Sequence, residues 1–277
     1  GGPLDLCAEA EHHASSGEIV VHDDLIVAGV DVEQGEKPGA FGRVVGLRER
    51  AALAPLPPVG ELAPEAVETV AACMHPSIAQ RLREGQMTFI SEHRQVTVLF
   101  VRFEGFDYDN DPEVSDRLQV YLSRVMRVVQ RYDGYLNRVD MGDKGSKCLV
   151  LFGAPIAHED DAERGLRCAL ELRDLPEAAV RIGINSAFVY CGLVGSPVRR
   201  DYTVMGDGVN VAARLMQAAR PGQILVGDAT RSAARSAAGG PFVWESSASI
   251  RVKGKSEPVE AHTLARLRQR VTLHLQE

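Results

Sequence analysis

"YLNRVDMGDKGSKCLVLF", Tyr135 to Phe152, sets two apolar, β-branched runs on either side of a Gly-Asp-Lys-Gly turn, the pattern of a β-hairpin. What flanks it decides the fold. Upstream, from Glu113 to about Tyr132, the residues Val114, Leu118, Tyr121, Leu122, Val125, Val128 and Val129 keep helical spacing, and Gly134 is placed to stop the helix. Before that, "QVTVLFVRF" (Gln95 to Phe103) has the content of a buried strand. Downstream, a helix is predicted from about Asp160 to Arg173, with acidic residues in its first turn and Ala162, Leu166, Ala169 and Leu170 on one face. "AVRIGINSAFVYCGLVG" then supplies further strands, and "PFVWE", "IRVKG" and "EAHTLA" close the series. Strand, helix, two strands, helix, strand predicts an α+β sandwich: one mixed or antiparallel sheet with helices packed on one face.

Composition limits what such a domain can do. The 277 residues are 45% hydrophobic and 25% charged, ample for one large or two ordinary cores. A formal charge of -7 argues against a nucleic-acid or acidic-membrane surface, which needs clustered Lys and Arg. No apolar run approaches the roughly 18 to 20 residues of a membrane span, and the start "GGPLDLCAEAEHH" lacks a basic-then-apolar signal. These features predict a cytoplasmic protein. The five cysteines (Cys7, Cys73, Cys148, Cys168, Cys191) are odd in number with no CxxC pair, so reduced thiols are expected rather than disulfides or a zinc site. His12, His13, His75, His93, His158 and His262 show no ligand spacing and are read as surface residues.

Domain boundaries follow from shifts in composition. "APLPPVGELAP" is a Pro-rich linker, and "PEAVETVAACMHPSIAQRLREG" reads as a helical connector broken near Pro76. Gly2–Asp23 can be laid over Asp207–Asp228, with Gly17 on Gly222, Ile19 on Ile224, Val21 on Val226 and Asp23 on Asp228. The division expected is therefore residues 1–50 as the tail of a first copy, 51–94 as linker, 95–266 as the main domain and 267–277 as an extension. The chain lacks an initiator Met, consistent with a piece of a longer protein whose first copy begins upstream.

"DYTVMGDGVNVAARL", Asp201 to Leu215, runs from a strand through a turn into a helix carrying Asn210 and Arg214 four residues apart. Asp207 is expected to cap this helix, with Val209, Ala212, Ala213 and Met216 as its buried stripe. Asn210, Arg214 and Gln217 then share a separate, outward stripe. A solvated surface helix explains the pair as well as a site does.

Four stretches in order change that balance. "VTVLFVRFEGF", "FGAP", "YTVMGDGVNVAARL" and "VKGKSEP" together resemble a class III nucleotidyl cyclase domain over roughly residues 95–266. "NRVDMGDKGSKCLVLFGAP" and "RRDYTVMG" are similar to the second, complementing cyclase domain of the soluble adenylyl cyclase type. The resemblance implies a ferredoxin-like, palm-type fold and two cyclase domains sharing one ATP site, with Mg2+ or Mn2+ bound mainly by the partner domain. It assigns Asn210 to the ribose, Arg214 to the transition state, Thr203 and Arg138 to the base, and Lys253 (with Lys255 a weaker alternative) to the terminal phosphates. Threonine at position 203 replaces the aspartate of many members but is the residue of the soluble adenylyl cyclase type, whereas arginine at 138 departs from the lysine of that type.

Arg102 stands where metal-binding members carry their first aspartate, and a cation cannot ligate magnesium. Asp143 lies near the second aspartate position but sits beside Lys144 on a turn, and Glu104 is the remaining nearby carboxylate. No metal ligand is therefore expected in this domain. Asp5 and Glu9 of the first copy fall where the second has Asn210 and Arg214. The sequence thus predicts the complementing half of an adenylyl cyclase, nearly inactive as an isolated piece. A non-catalytic pseudo-cyclase and a guanylyl cyclase are the alternatives.

Overall fold

The computed structural model describes residues 2–26, 30–33, 40–47, 60, 63–86, 91–141, 145–196, 199–234, 240–250 and 258–268. The chain opens with helix α1 (Gly2–His13), then strands β1 (Val20–His22), β2 (Val30–Glu33) and β3 (Phe41–Leu47), which form a three-stranded antiparallel sheet in the order β1-β3-β2. The connector is helical and broken at Pro76, as its sequence predicts: α2 (Pro64–Ala72) and α3 (Pro76–Arg83). Proline at the first position of each helix spends no hydrogen bond there, because the first-turn N–H groups have no partner within the helix.

The main sheet follows. Strand β4 (Glu92–Glu104), helix α4 (Val114–Arg131), the hairpin β5 (Tyr135–Asp140) and β6 (Ser146–Phe152), helix α5 (Asp161–Arg173) and strand β7 (Ala179–Gly195) appear in the predicted order. Then come β8 (Arg200–Met205), α6 (Asp207–Ala218), β9 (Ile224–Gly227), α7 (Asp228–Ala233), β10 (Phe242–Ile250) and β11 (Val259–Leu267). The sheet order is β10-β11-β9-β7-β4-β6-β5, with β8 paired to β7; β7 and β9 run parallel and the other pairs antiparallel. This is the mixed-sheet α+β architecture that the sequence predicts. The stretch "AVRIGINSAFVYCGLVG" is one long strand rather than several.

Side-chain alternation on the central strands builds two cores. Leu99, Val101 and Phe103 of β4 face Tyr121, Val125, Val128 and Val129 of α4 and Leu166 and Ala169 of α5. Val96 and Val98 point the other way, to Ala212 of α6, Tyr202 and Val204 of β8, and Ile78 of α3. The expectation of helices on one face therefore needs amending: α4 and α5 share a face, while α6 and the connector helix α3 cover part of the opposite one. A strand apolar on both sides, as β4 is from Val96 to Val101, needs cover on both. Gly183 permits the second layer, because a Cβ there would lie 2.1 Å from the Met216 nitrogen and 2.3 Å from the Ala212 oxygen.

The β7–β8 hairpin bends back across this second face. Its Tyr202 carbonyl reaches Asn137 of β5, and the Tyr135 and Tyr202 rings lie 6.2 Å apart, although β5 and β8 are far apart in the strand order.

The small N-terminal sheet repeats one end of the large one. Val20, Val21 and His22 pair with Arg43, Gly42 and Phe41, as Leu225, Val226 and Gly227 pair with Thr263, His262 and Ala261. Val30, Asp31 and Val32 pair with Leu47, Gly46 and Val44 across a register shift, as Phe242, Val243 and Trp244 pair with Leu267, Arg266 and Leu264 across a shift at the same step. Helix α1 precedes the first set as α6 precedes the second, and the two helices have equal length.

Candidate functional site

Helix α6 leaves β8 through Gly206, whose φ of 150° suits a residue without Cβ. Gly206 occupies the cap position and Asp207 begins the helix, a correction to the predicted Asp207 cap; the carboxylate still stands in the first turn, where the helix dipole favours it. The buried stripe is Val211, Ala212, Leu215 and Met216, with Val209 and Ala213 half-buried, so the helix is turned relative to the predicted stripe. Asn210 is exposed and Arg214 half-buried, one turn apart on the outer side. Arg214 Nη1 donates to Gln217 Oε1 at 3.0 Å, and among the described residues no carboxylate forms an ion pair with it. The helix is anchored from beneath by Asn185 of β7, whose Nδ2 donates to the Gly208 carbonyl at 3.0 Å.

Beneath the bent hairpin lies a cleft of about 460 Å³, lined by Tyr135, Asn137, Arg138, Asp201, Tyr202 and Thr203 among others. It brings Thr203 and Arg138 to one wall system although 65 residues separate them in the chain. Arg138 is half-exposed, with Nε 3.9 Å from Asp140 and Nη2 4.0 Å from Asp201, loose pairs that leave its donors free to turn. Thr203 Oγ1 donates to Asn137 Oδ1 at 3.1 Å, and Asn137 Nδ2 donates to the Tyr202 carbonyl at 2.6 Å. Burial pushes the Tyr135 and Tyr202 hydroxyls above their ordinary range, so both stay neutral. The cleft therefore combines neutral aromatic walls, a small hydroxyl–amide pair, the guanidinium groups of Arg138 and Arg199 and the carboxylates of Asp140 and Asp201, a set able to donate to and accept from the edge of a flat heterocycle. Asn210 and Arg214 are not among its lining residues. Lys253 and Lys255 lie outside the described residues, as does Asp143.

Among the described residues, those at the place where the resemblance would put a divalent metal do not fit one. Arg102 Nε pairs with Glu104 Oε1 at 3.1 Å, and Arg181 Nη2 reaches the same oxygen at 3.2 Å, so Glu104 is committed to two cations. A Cβ on Gly145 would fall 3.0 Å from the Arg102 guanidinium, which fills the space beside the turn. Asp228, Glu260 and His262 do lie within ligand distance of one another, and His262 is buried, a correction to its reading as a surface histidine without ligand spacing. Its Nε2 is 3.1 Å from Asp228 Oδ1, while Arg231 Nη1 lies 2.9 Å from its Nδ1. The His262 ring is thus already engaged by both the Asp228 carboxylate and the Arg231 guanidinium.

Two residues of this region escape motif reasoning, Asn137 and Asn185. Each is a polar side chain inside a run otherwise apolar enough for a strand, and that irregularity was the available signal. Their partners Thr203 and Gly208 come from distant segments, which no spacing reveals.

Residues 89–266 match the family described as the adenylate and guanylate cyclase catalytic domain. The human "Adenylate cyclase type 10" is 35% identical over 147 residues, half of this chain, and the chain spans 9% of that protein's length. Among solved structures, the guanylyl cyclase Cya2 superposes with a TM-score of 0.58 at 27% identity, covering 67% of this chain and 99% of its own. The adenylyl cyclase CyaB from P. aeruginosa gives 0.57 at 25% identity, covering 65% and 97%. Proteins named for either nucleotide thus resemble this chain, and no helix among the described residues is long and apolar enough to cross a membrane.

Proposed function

The chain belongs to the adenylate and guanylate cyclase catalytic domain family, and from that premise we propose that it is the complementing half of a two-domain adenylyl cyclase. Cyclisation of ATP joins the ribose 3′-oxygen to the α-phosphorus and breaks the bond from that phosphorus to the β-phosphate bridging oxygen. The 3′-hydroxyl loses its proton and pyrophosphate leaves. Negative charge accumulates on the phosphoryl oxygens between these events. A guanidinium aimed at them stabilises the transition state more than the ground state, and its fork suits two oxygens at once. Arg214 has this role, Asn210 one turn earlier holds the ribose, Thr203 and Arg138 meet the base, and Lys253 meets the terminal phosphates.

The observation that carries the reading is that α6 presents Asn210 and Arg214 outward, with Arg214 held only by the neutral Gln217 among described partners. Among the described residues, no buried core group is bonded to either side chain. Because Arg102 and Glu104 are paired where a metal site would be, Mg2+ or Mn2+ belongs to a metal-donating cyclase domain that completes the site from outside. Residues 1–50 are the tail of such a domain, a reading supported by the matched register of the two small sheets. The Arg102–Glu104 pair equally suits a non-catalytic regulatory copy, which is the second reading.

The test is cyclic AMP formation by the full-length protein with magnesium or manganese, wild type against Arg214→Ala. Removal of one transition-state donor costs about 10²- to 10³-fold in kcat. Product unchanged by the substitution, or absent from the wild type, rejects catalysis in favour of the regulatory copy.

A further inference from the structure

We propose that Asn137 is a specificity-determining residue that locks the Thr203 hydroxyl as a hydrogen-bond acceptor, so that the cleft takes a purine bearing an amine at position 6. The inference rests on the adenylyl cyclase reading and goes beyond it by naming the group that makes the choice of base.

The chain of bonds begins at the Tyr202 carbonyl. A backbone carbonyl only accepts, so the Asn137 atom 2.6 Å from it must be the amide nitrogen. That settles the orientation of the carboxamide, which is otherwise ambiguous between its two ends. The oxygen end then faces Thr203, at 3.1 Å from Oγ1. Two acceptors cannot share that contact, so Thr203 must spend its one proton on Asn137. What the hydroxyl has left for the cleft is lone pairs.

A free threonine hydroxyl can rotate to donate or accept and serves a keto oxygen as readily as an amine. Locked, it serves the amine alone. Arg138, which lines the same cleft, can only donate, so these two groups offer an acceptor and a donor, while Arg199, Asp140 and Asp201 at the cleft are charged groups on mobile side chains and do not lock either role at Thr203. Adenine presents an amine at position 6 and a bare ring nitrogen next to it, complementary to that pair in a single pose. A 6-keto purine in the same pose presents the reverse at both positions, leaving the keto oxygen against lone pairs and a ring N–H against the guanidinium. A polar site left unpaired in this way rejects the wrong ligand more strongly than a missing apolar contact would. Asn137 is a positioning residue: it acts on the base through Thr203.

The experiment compares ATP with inosine triphosphate, which exchanges the amine for a keto oxygen and the bare ring nitrogen for N–H and is otherwise the same. In the full-length protein, kcat/KM for cyclisation and the dissociation constants measured calorimetrically with Ca2+ are determined for wild type, Asn137→Ala and Asn137→Leu. The wild type prefers ATP, and either substitution lowers that preference about tenfold, the size of one hydrogen bond gained or lost. In a Thr203→Val background the Asn137 substitutions leave the ratio unchanged, because the hydroxyl they act through is gone. A merely structural role moves both nucleotides equally; an unchanged ratio in single variants whose melting temperature shows them folded therefore overturns the proposal, as does a wild type that prefers inosine triphosphate. Should the wild type cyclise neither nucleotide, the adenylyl cyclase reading fails, yet the ratio of dissociation constants still decides the role of Asn137. Binding of neither overturns both.

Discussion

Replacing Gly183 by alanine tests whether the docking of α6 on the sheet is what aims Arg214. The added methyl would stand 2.1 Å from the Met216 nitrogen, 2.3 Å from the Ala212 oxygen and 2.8 Å from the Leu215 carbonyl carbon. Real contacts of this kind essentially never fall below 3.0 Å, so the helix must lift by about 0.9 Å. All three opposing atoms are backbone, and no rotamer change relieves them. Lifting the helix thins the contacts of Val211, Ala212, Leu215 and Met216, all buried, and stretches the Asn185 bond to Gly208. Overpacking of this kind costs about 1–3 kcal/mol. For a domain of this size each kcal/mol lowers the melting temperature by roughly 2–4 °C, so a fall of about 2–12 °C is expected. A displacement near 1 Å of a catalytic group costs about 100-fold in rate. The assay is cyclic AMP production by the full-length protein at a temperature where calorimetry shows the variant folded, with Gly60→Ala as control, since nothing lies within 4 Å of a Cβ there. A folded, destabilised variant with wild-type turnover would show that the seat of α6 on the sheet does not position the chemistry.

Other outcomes follow from the same structure. Arg214→Lys keeps the charge but loses the fork, so cyclisation falls at least tenfold while the melting temperature holds; full activity would mean that charge alone suffices. Burial lowers the pKa of His75 below its ordinary 6.5, so the unfolded chain binds the extra proton more readily and stability is lost as the pH falls through 6.5 toward the folded value. Replacing it with Asn, which can still cap α3 in place of the Nδ1 contact to Ser77, removes that acid slope in urea titrations between pH 7 and 5.5; an identical slope in both proteins counts against His75. Alkylation of the native protein labels the exposed Cys7 and Cys73 and spares Cys148, Cys168 and Cys191, whose thiols burial pushes up, to about 12 for Cys148 and about 11 for Cys191. Mass spectrometry reads the count, and rapid labelling at Cys148 would contradict the packing of β6.

Local chemistry was legible in the sequence because it is written at short range. The helix from Val114 to Arg131 and the pairing of β5 with β6 follow from periodicity and turn residues a few positions apart. The connector broken at Pro76 follows from a ring that cannot donate, and the outward pair Asn210 and Arg214 from the helical repeat alone. The buried stripe of α6 was misplaced because Val211 and Leu215 compete with Val209 and Ala213 for the core, and only the surface of β7, opened by Gly183, settles which side wins. The single-face layout missed the second layer for the same reason: a strand apolar on both sides shows that it needs two covers, but not which elements supply them.

By itself, then, the chain's order of residues determined most of the elements, their succession, the family they belong to and an arginine at position 102, where the resemblance leads one to expect a metal carboxylate. Only the tertiary structure decided that the β7–β8 hairpin folds back to set Thr203 against Asn137, that Asn185 ties down α6, and that Arg102 is consumed by Glu104. Hydrogen bonds and ion pairs reach about 3 to 4 Å in space, and which distant segments come that close is fixed by how the whole sheet bends and packs.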